Sequence, residues 1–325
     1  MTLTFNDVDL RVDLPQIPFA APVVAHTPPC LKGSEDTTRA IADVLGIDLK
    51  GTAEVPHGYA VGSDRGQVEV FSASGAFRAR NVERLTAYED ERRPWRAVER
   101  DDSGEWHLAE GVAERVSHHG LEILSRIGIE QDFASLDVVL GQWAQLDEES
   151  GKEIDSGPGR ATVRLSYAVE GLALIGPGAK TNLHFDPDPD GGDDGLALAR
   201  MFHVRRATSG VGEVRTQSLD EAFAGLLGQS WSGAGLREGE ARMTVTSAVF
   251  GLLALPADVL QSYAVPALAV EGSVSGVLVG RDETATVRFG QYLPLAHPKA
   301  IAEAGYGGGQ LTPGAVVRGS RARGE

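Results

Sequence analysis

The sequence predicts an α+β fold: two antiparallel sheets, each covered by a helix, with an extended N-terminal arm. Three observations carry this expectation. Extended apolar runs broken by Gly, Asp and Pro turns occupy 57–80 and again 163–206. A stretch of helical period follows each, near 108–127 and near 218–228. Further strand-like runs come after each helix, so the order hairpin, helix, strands occurs twice, as an internal duplication would give. The chain then divides into an arm with a short helix (1–50), a first half (51–150), a second half (151–300) and a flexible tail (301–325).

Taken in order, residues 1–33 alternate apolar positions (Leu3 and Phe5; Leu10, Val12 and Leu14) and are rich in proline, which suits an arm laying a strand or two along the body. Ser34 to Gly46 has helix signals: Ser34 or Asp36 at the start, an apolar face of Ala40, Ile41, Val44 and Leu45, and Gly46 at the end. Tyr59–Val61 and Val68–Phe71 are strand runs joined by a Ser-Asp-Arg-Gly turn, and Gly75-Ala-Phe77 opens a third. The charge-dense stretch that follows, with Trp95 and Trp106, reads as an exposed connection. Val112, Val116, Leu121, Ile123, Leu124 and Ile127 then fall near a 3.6-residue period that Gly128 ends. Val138 to Leu146 reads as a strand and EESGKEIDSGPG as a loop. Beyond the central block, ATSGVG reads as a loop, Ser218 and Glu221 form a capping box, and strands are expected at 241–253, 266–279 and 284–292. The tail from Gly305 is glycine-rich and locally basic, which favours loose packing.

The central block, Val163 to Arg206, has three extended runs separated by Gly176-Pro-Gly178 and by a very acidic turn. In that turn Asp186, Asp188, Asp190 and Asp194 follow D-x-D-x-D-G-x-x-D, with Gly191 at the bend. Alternating carboxylates on a tight loop can converge on one hard cation, so these four are the candidate metal ligands and Ca2+ the candidate ion. An EF-hand would want Glu where Ala197 stands, and helices on both sides, so calcium loops that replace a hairpin turn are the better comparison. A solvated acidic turn, stiffened by Pro187 and Pro189, is the plainer alternative.

The segment Ser166-Tyr-Ala-Val-Glu-Gly171 through Gly176-Pro-Gly178 and Lys180-Thr-Asn-Leu-His-Phe, with the Asp190-Gly191 turn and the helix opening at Ser218, Glu221 and Ala222, resembles the PepSY-like and YycH/YycI-like group, which includes propeptide domains of thermolysin-type proteases. The resemblance covers roughly 163–230 and, more weakly, 57–130. It implies two PepSY-like α+β halves and a non-enzymatic role: protease inhibition, regulation of a membrane sensor, or ligand binding. The partner it implies is a protein or a small apolar ligand.

Composition narrows the field further. A formal charge of -16 over 325 residues argues against nucleic acid as a partner, because phosphate contacts need a basic footprint. No apolar run reaches the ~18 residues of a membrane helix, so membrane insertion is not expected. The N-terminus has neither the basic nor the apolar region of a signal peptide; a cytoplasmic location is expected, with an extracytoplasmic route that the sequence does not show left open. The single cysteine, Cys30, excludes an internal disulfide framework. Arg far outnumbers Lys, 25 against 5, as in a high-GC, actinobacterial genome.

No nucleotide or flavin motif occurs. Gly176-Pro-Gly-Ala-Lys180-Thr181 ends like a phosphate loop, but G-x-x-x-x-G-K is not met and Lys180 lies in a strand run. His118 and His119 are adjacent on a helix and cannot both face one site. His184 and His203, in strands expected to pair across the acidic hairpin, would make a pH-sensitive or metal-capable cluster with Asp186. The leading expectation is a non-catalytic binding or regulatory protein. The competing one is a tailoring enzyme of actinobacterial secondary metabolism, of cyclase, isomerase or hydrolase type, enclosing an apolar substrate between its sheets. Tyr59, Trp143, Tyr167, His184, Trp231 and Tyr263 would line that cavity, with His184, Tyr167 and Tyr263 the catalytic candidates. A structural subunit of a larger assembly is the third reading.

Overall fold

The computed structural model describes residues 8–27, 34–91, 98–102, 104–148, 150–187, 196–227, 242–278, 280, 284–296 and 299. Strands β1 (Val8–Leu10) and β2 (Ala20–His26) precede helix α1 (Ser34–Leu45). A meander of β3 (Gly51–Val55), β4 (Gly58–Ser63), β5 (Gly66–Phe71) and β6 (Phe77–Asn81) leads into α2 (Val82–Glu91), the small β7 (Val98–Arg100) and β8 (Trp106–Leu108), and α3 (Val112–Arg126). Then come β9 (Ser135–Leu146), β10 (Glu153–Ser166), β11 (Ala168–Val169), β12 (Leu172–Ile175), β13 (Lys180–Pro187), β14 (Leu196–Val204) and β15 (Thr208–Arg215). Helix α4 (Leu219–Leu227) and three long strands, β16 (Arg242–Leu253), β17 (Tyr263–Val277) and β18 (Thr284–Pro294), complete the order.

This architecture is predominantly β, with eighteen strands against four helices among the described residues. It overturns the expected α+β pair of helix-covered halves. Strands that a duplication would keep apart share one sheet, of order β3-β4-β5-β6-β14-β13-β10-β9, in which β6 pairs with β14. The second sheet has the order β11-β12-β16-β17-β2-β15, with β1 beside β16 and β18 beside β17, so it too draws on both ends of the chain. Strand content was missed where Gly, Ser and Pro interrupt the run: 153–159 and 208–212, read as loops, belong to β10 and β15. There Gly serves close approach rather than a turn, since a Cβ on Gly157 would stand 2.8 Å from the Trp143 ring. The opposite error hid α2, whose charges masked a helical turn pattern.

One face of the first sheet is covered by helices. Ala161, Val163 and Leu165 of β10, Leu183 and Phe185 of β13, Met201 of β14 and Phe77 and Ala79 of β6 all point into one core with α1 and α3. Strand alternation places these residues on a single face. α1 contributes Ile41, Ala42 and Leu45, and α3 contributes Val116, Ile123 and Leu124. Asn81 ties the end of α1 to the sheet, its Nδ2 donating to the Leu45 carbonyl at 2.8 Å. The second sheet packs Met243, Val245, Leu268, Val270 and Phe289 against Ala222, Phe223 and Leu226 of α4. The capping box that opens α4 is formed, with the Ser218 amide donating to Glu221 Oε2 at 2.9 Å.

Arg206 joins the two sheets. Its guanidinium donates to the carbonyls of Leu255 (2.8 Å), Pro256 (2.8 Å) and Val259 (2.7 Å), fastening the loop between β16 and β17 to the end of β14. Burial lowers its pKa to about 10. Gly178 makes the junction sterically possible, because a Cβ there would come within 1.7 Å of the Leu255 carbonyl oxygen. No helix among the described residues is long and apolar enough to cross a membrane.

Candidate functional site

A pocket of about 330 Å³ opens on the helix-covered face of the first sheet. Thr37, Thr38 and Ile41 of α1 form one wall and Ile127 to Ile129, just after α3, another; Val70, Phe77 and His203 supply the sheet side. His203 reaches this side by parity. It is the cross-strand partner of Thr181, and both lie on the face that carries Leu183, Phe185 and Met201.

His203 stands at the end of a hydrogen-bond chain. Its Nδ1 lies 2.7 Å from Thr181 Oγ1, which lies 2.7 Å from the Tyr167 hydroxyl. Phe77 stacks on the imidazole with centroids 5.2 Å apart, and Tyr167 meets it edge-on at 6.4 Å. Burial, and after it the Arg205 charge, lower the His203 pKa to about 4, so the ring is neutral near pH 7. Burial pushes the Tyr167 phenol up, and it keeps its proton. Arg205 lies over the Tyr167 ring at 5.1 Å and is itself held by a bidentate pair with Asp132. Two polarities satisfy the chain. Tyr167 donates to Thr181 and Thr181 to His203, leaving the proton on Nε2; or His203 donates from Nδ1 and Nε2 keeps a lone pair. In either case one ring nitrogen is fixed from behind and the other remains for a ligand.

Tyr167 is thus a sequence candidate that the fold places behind the pocket, two hydrogen bonds from His203. His184 is not. It lies on β13 next to Leu183 and so points to the opposite face, where its Nδ1 meets Thr162 Oγ1 at 3.0 Å. Its pKa is lowered to about 4, first by burial and then by Arg200, Arg160 and Arg164. The expected cluster of His184, His203 and Asp186 therefore does not form. Asp186 is 3% exposed and accepts from Arg160 Nε at 2.6 Å. The other acidic-turn residues, Asp188, Asp190 and Asp194, lie outside the described residues, as do Trp231 and Cys30. Tyr263 belongs to a different core cluster, with Val23, Val214 and Val265 of the second sheet. Tyr59 is half-buried on β4, and Trp143 on β9 faces Gly157. His118 is exposed and near Glu122, whereas His119 packs its ring 5.5 Å from Phe185 in the core.

The sequence reading also missed three carboxylate or imidazole groups at the turn between β7 and β8. Asp101, Glu105 and His107 bring one potential ligand atom each within 4.8 Å of the others. All three are exposed, and hydrogen bonds within the turn account for their approach: His107 Nε2 lies 2.7 Å from Asp101 Oδ2, and the Glu105 amide donates to Asp101 Oδ1 at 2.9 Å. Of the residues behind His203, Thr181 is the most legible in the sequence. It is a polar residue at the inward parity of a strand whose other inward positions are Leu183 and Phe185.

No protein-family model matches the chain, and no curated protein matches it. Among solved structures it aligns with an uncharacterized protein from Eubacterium rectale, at 8% identity and a TM-score of 0.47, over 89% of this chain and 88% of that one.

Proposed function

We infer that the protein is a non-catalytic binding module whose ligand enters the pocket between α1, the end of α3 and the sheet. The observation that carries this reading is the chain Tyr167–Thr181–His203, which fixes a neutral imidazole from behind at the wall of a recess lined by Thr37, Thr38 and apolar side chains. Pockets of this size take small organic molecules, with apolar walls for affinity and a few polar groups for orientation. The ligand class that fits is a compact, mostly apolar molecule with one hydrogen-bonding group for His203 and a second for Thr37 or Thr38. No carboxylate, thiol or lysine is among the described lining residues, so the site has one titratable side chain and no paired acid and base. A binding role is also what the PepSY-like resemblance implies.

The test is an NMR titration of histidine-labelled protein with a set of mono- and bicyclic aromatic fragments, phenol and indole among them. Hits should shift the His203 ring resonances saturably, and Ile129→Trp, which fills the pocket from its rim, should abolish the shifts while the protein stays folded. Fragments that leave His203 unmoved, or shifts that survive Ile129→Trp, would remove the pocket from the argument.

A further inference from the structure

On the other face of the same sheet, where Arg160 donates to the Leu85 carbonyl of α2, the side chains form a grid that register defines. Thr162, His184, Arg200 and Arg80 are successive cross-strand neighbours on β10, β13, β14 and β6. Two residues along, Arg164, Asn182, Phe202 and Arg78 form the next row. Neighbouring strands are about 5 Å apart and alternate residues about 7 Å apart, so four arginines and an imidazole share a patch roughly 15 Å wide.

Some of these charges are neutralised. Arg78 Nη2 donates to Glu69 at 2.5 Å and Arg160 to Asp186 at 2.6 Å. Arg80, Arg164 and Arg200 are exposed, and none has a hydrogen bond or ion pair among the described residues; Arg164 makes none even with Asp137, its cross-strand neighbour. In a chain with 46 acidic residues and a charge of -16, three arginines on one face of a sheet, without an acid partner among the described residues, are a local inversion of sign. Like charges placed side by side on a sheet destabilise it. Burial and the charges of Arg78, Arg80 and Arg160 indeed hold the Arg200 guanidinium below its usual value. An anion would relieve that repulsion.

We propose that the exposed arginines of this face form a binding site for a compact oligophosphate, whose oxygens are shared by Arg80, Arg164 and Arg200 and whose centre lies over His184. Guanidinium forks from three strands offer more donors than one carboxylate can accept, whereas a phosphate chain presents several oxygens to each. The patch is also bounded. Glu69 closes one side and Asp137 the other, and the acidic remainder of the molecule repels a polyanion long enough to leave it. His184, backed by Thr162 at its Nδ1, presents its other nitrogen to the ligand. The proposal is independent of the pocket on the opposite face.

The experiment is an isothermal and NMR titration of the full chain at low salt with inorganic triphosphate, and in parallel with pyrophosphate, citrate and a fifteen-nucleotide oligothymidylate. Triphosphate should bind saturably, more tightly than pyrophosphate or citrate, and more weakly as salt rises. It should move the His184 resonances and raise the titration midpoint of that ring, leaving His203 unchanged. Arg80→Ala with Arg200→Ala should weaken binding about tenfold or more, the loss of two charged hydrogen-bonding groups. Citrate binding as tightly as triphosphate would overturn the phosphate assignment, and the oligonucleotide binding more tightly would overturn the compact ligand. Absence of a saturable His184 shift, or full affinity in the arginine variant, would overturn the site.

Discussion

His203 and His184 sit on neighbouring strands, each opposite a threonine whose hydroxyl meets Nδ1, at 2.7 and 3.0 Å. Both pKa values are lowered to about 4, and burial is the first cause in both. The rest differs. One Arg charge, that of Arg205, adds to the effect at His203, and three, Arg200, Arg160 and Arg164, add to it at His184. The same local pair of residues thus serves a pocket of mixed polarity on one face and a cationic surface on the other. Strand parity, not the residues themselves, decides which. Substitutions that treat the two faces alike should give different results.

The largest difference is expected for packing. Phe185 is fully buried beneath the helices, and Phe185→Ala should cost about 3–5 kcal/mol through lost burial and the cavity left behind. His184→Ala, one residue away on the arginine-bearing face, should cost about 1 kcal/mol or less. Chemical denaturation of the two variants checks this; comparable losses would mean that both faces are packed alike.

The next difference is in pH dependence. A histidine with a folded pKa of about 4 and an unfolded value near 6.5 is protonated first in the unfolded chain. Its contribution is complete above about pH 6.5 and is lost as the pH falls toward 4. His203→Gln and His184→Gln should therefore each flatten the decline of stability between these values, by up to about 1.4 kcal/mol for each unit of depression removed. Salt separates the faces. It screens the three exposed or half-exposed arginines around His184 and should shrink that contribution, while the contribution of His203, with one arginine near it, changes little. A salt response equal in the two variants would contradict the assignment of different causes.

Much of this molecule was legible, but not the part that distinguishes the faces. Helix α1 has its apolar period and terminal glycine in plain view, and Ser218 with Glu221 announces α4 three residues ahead of its buried face. Tyr167, a candidate of the sequence, stands in the hydrogen-bond chain behind His203. The union of His184 with His203 was wrong because pairing across a long hairpin loop is set by tertiary contacts, and here a register shift falls between His184 and Phe185. The alternation Thr181-Leu183-Phe185 against Asn182-His184-Asp186 would have separated them, had the inward face been known. The β-rich architecture was hidden for a different reason. Segments interrupted by Gly, Ser or Pro, such as 153–159 and 208–212, are specified by their neighbours and not by propensity: Gly157 and Gly159 admit close approach by β9, and 208–212 is held by pairing with β2.

The smallest expected effect is also the most specific. Arg200 is exposed, makes no ion pair among the described residues and is opposed by Arg78, Arg80 and Arg160, so its side chain gives the fold little and adds repulsion. Arg200→Gln should leave stability unchanged or raise it by up to about 0.5 kcal/mol at low salt, with the gain vanishing as salt screens the neighbouring charges. The corresponding change at the junction of the two sheets, Arg206→Gln, removes a buried guanidinium from three close carbonyls and should destabilise by about 2–4 kcal/mol at any salt concentration. Paired unfolding curves at two salt concentrations read both. A loss above about 1 kcal/mol for Arg200→Gln would show that the fold already uses this arginine, and the arginine-bearing face would then lose its claim to charges held in reserve for a ligand.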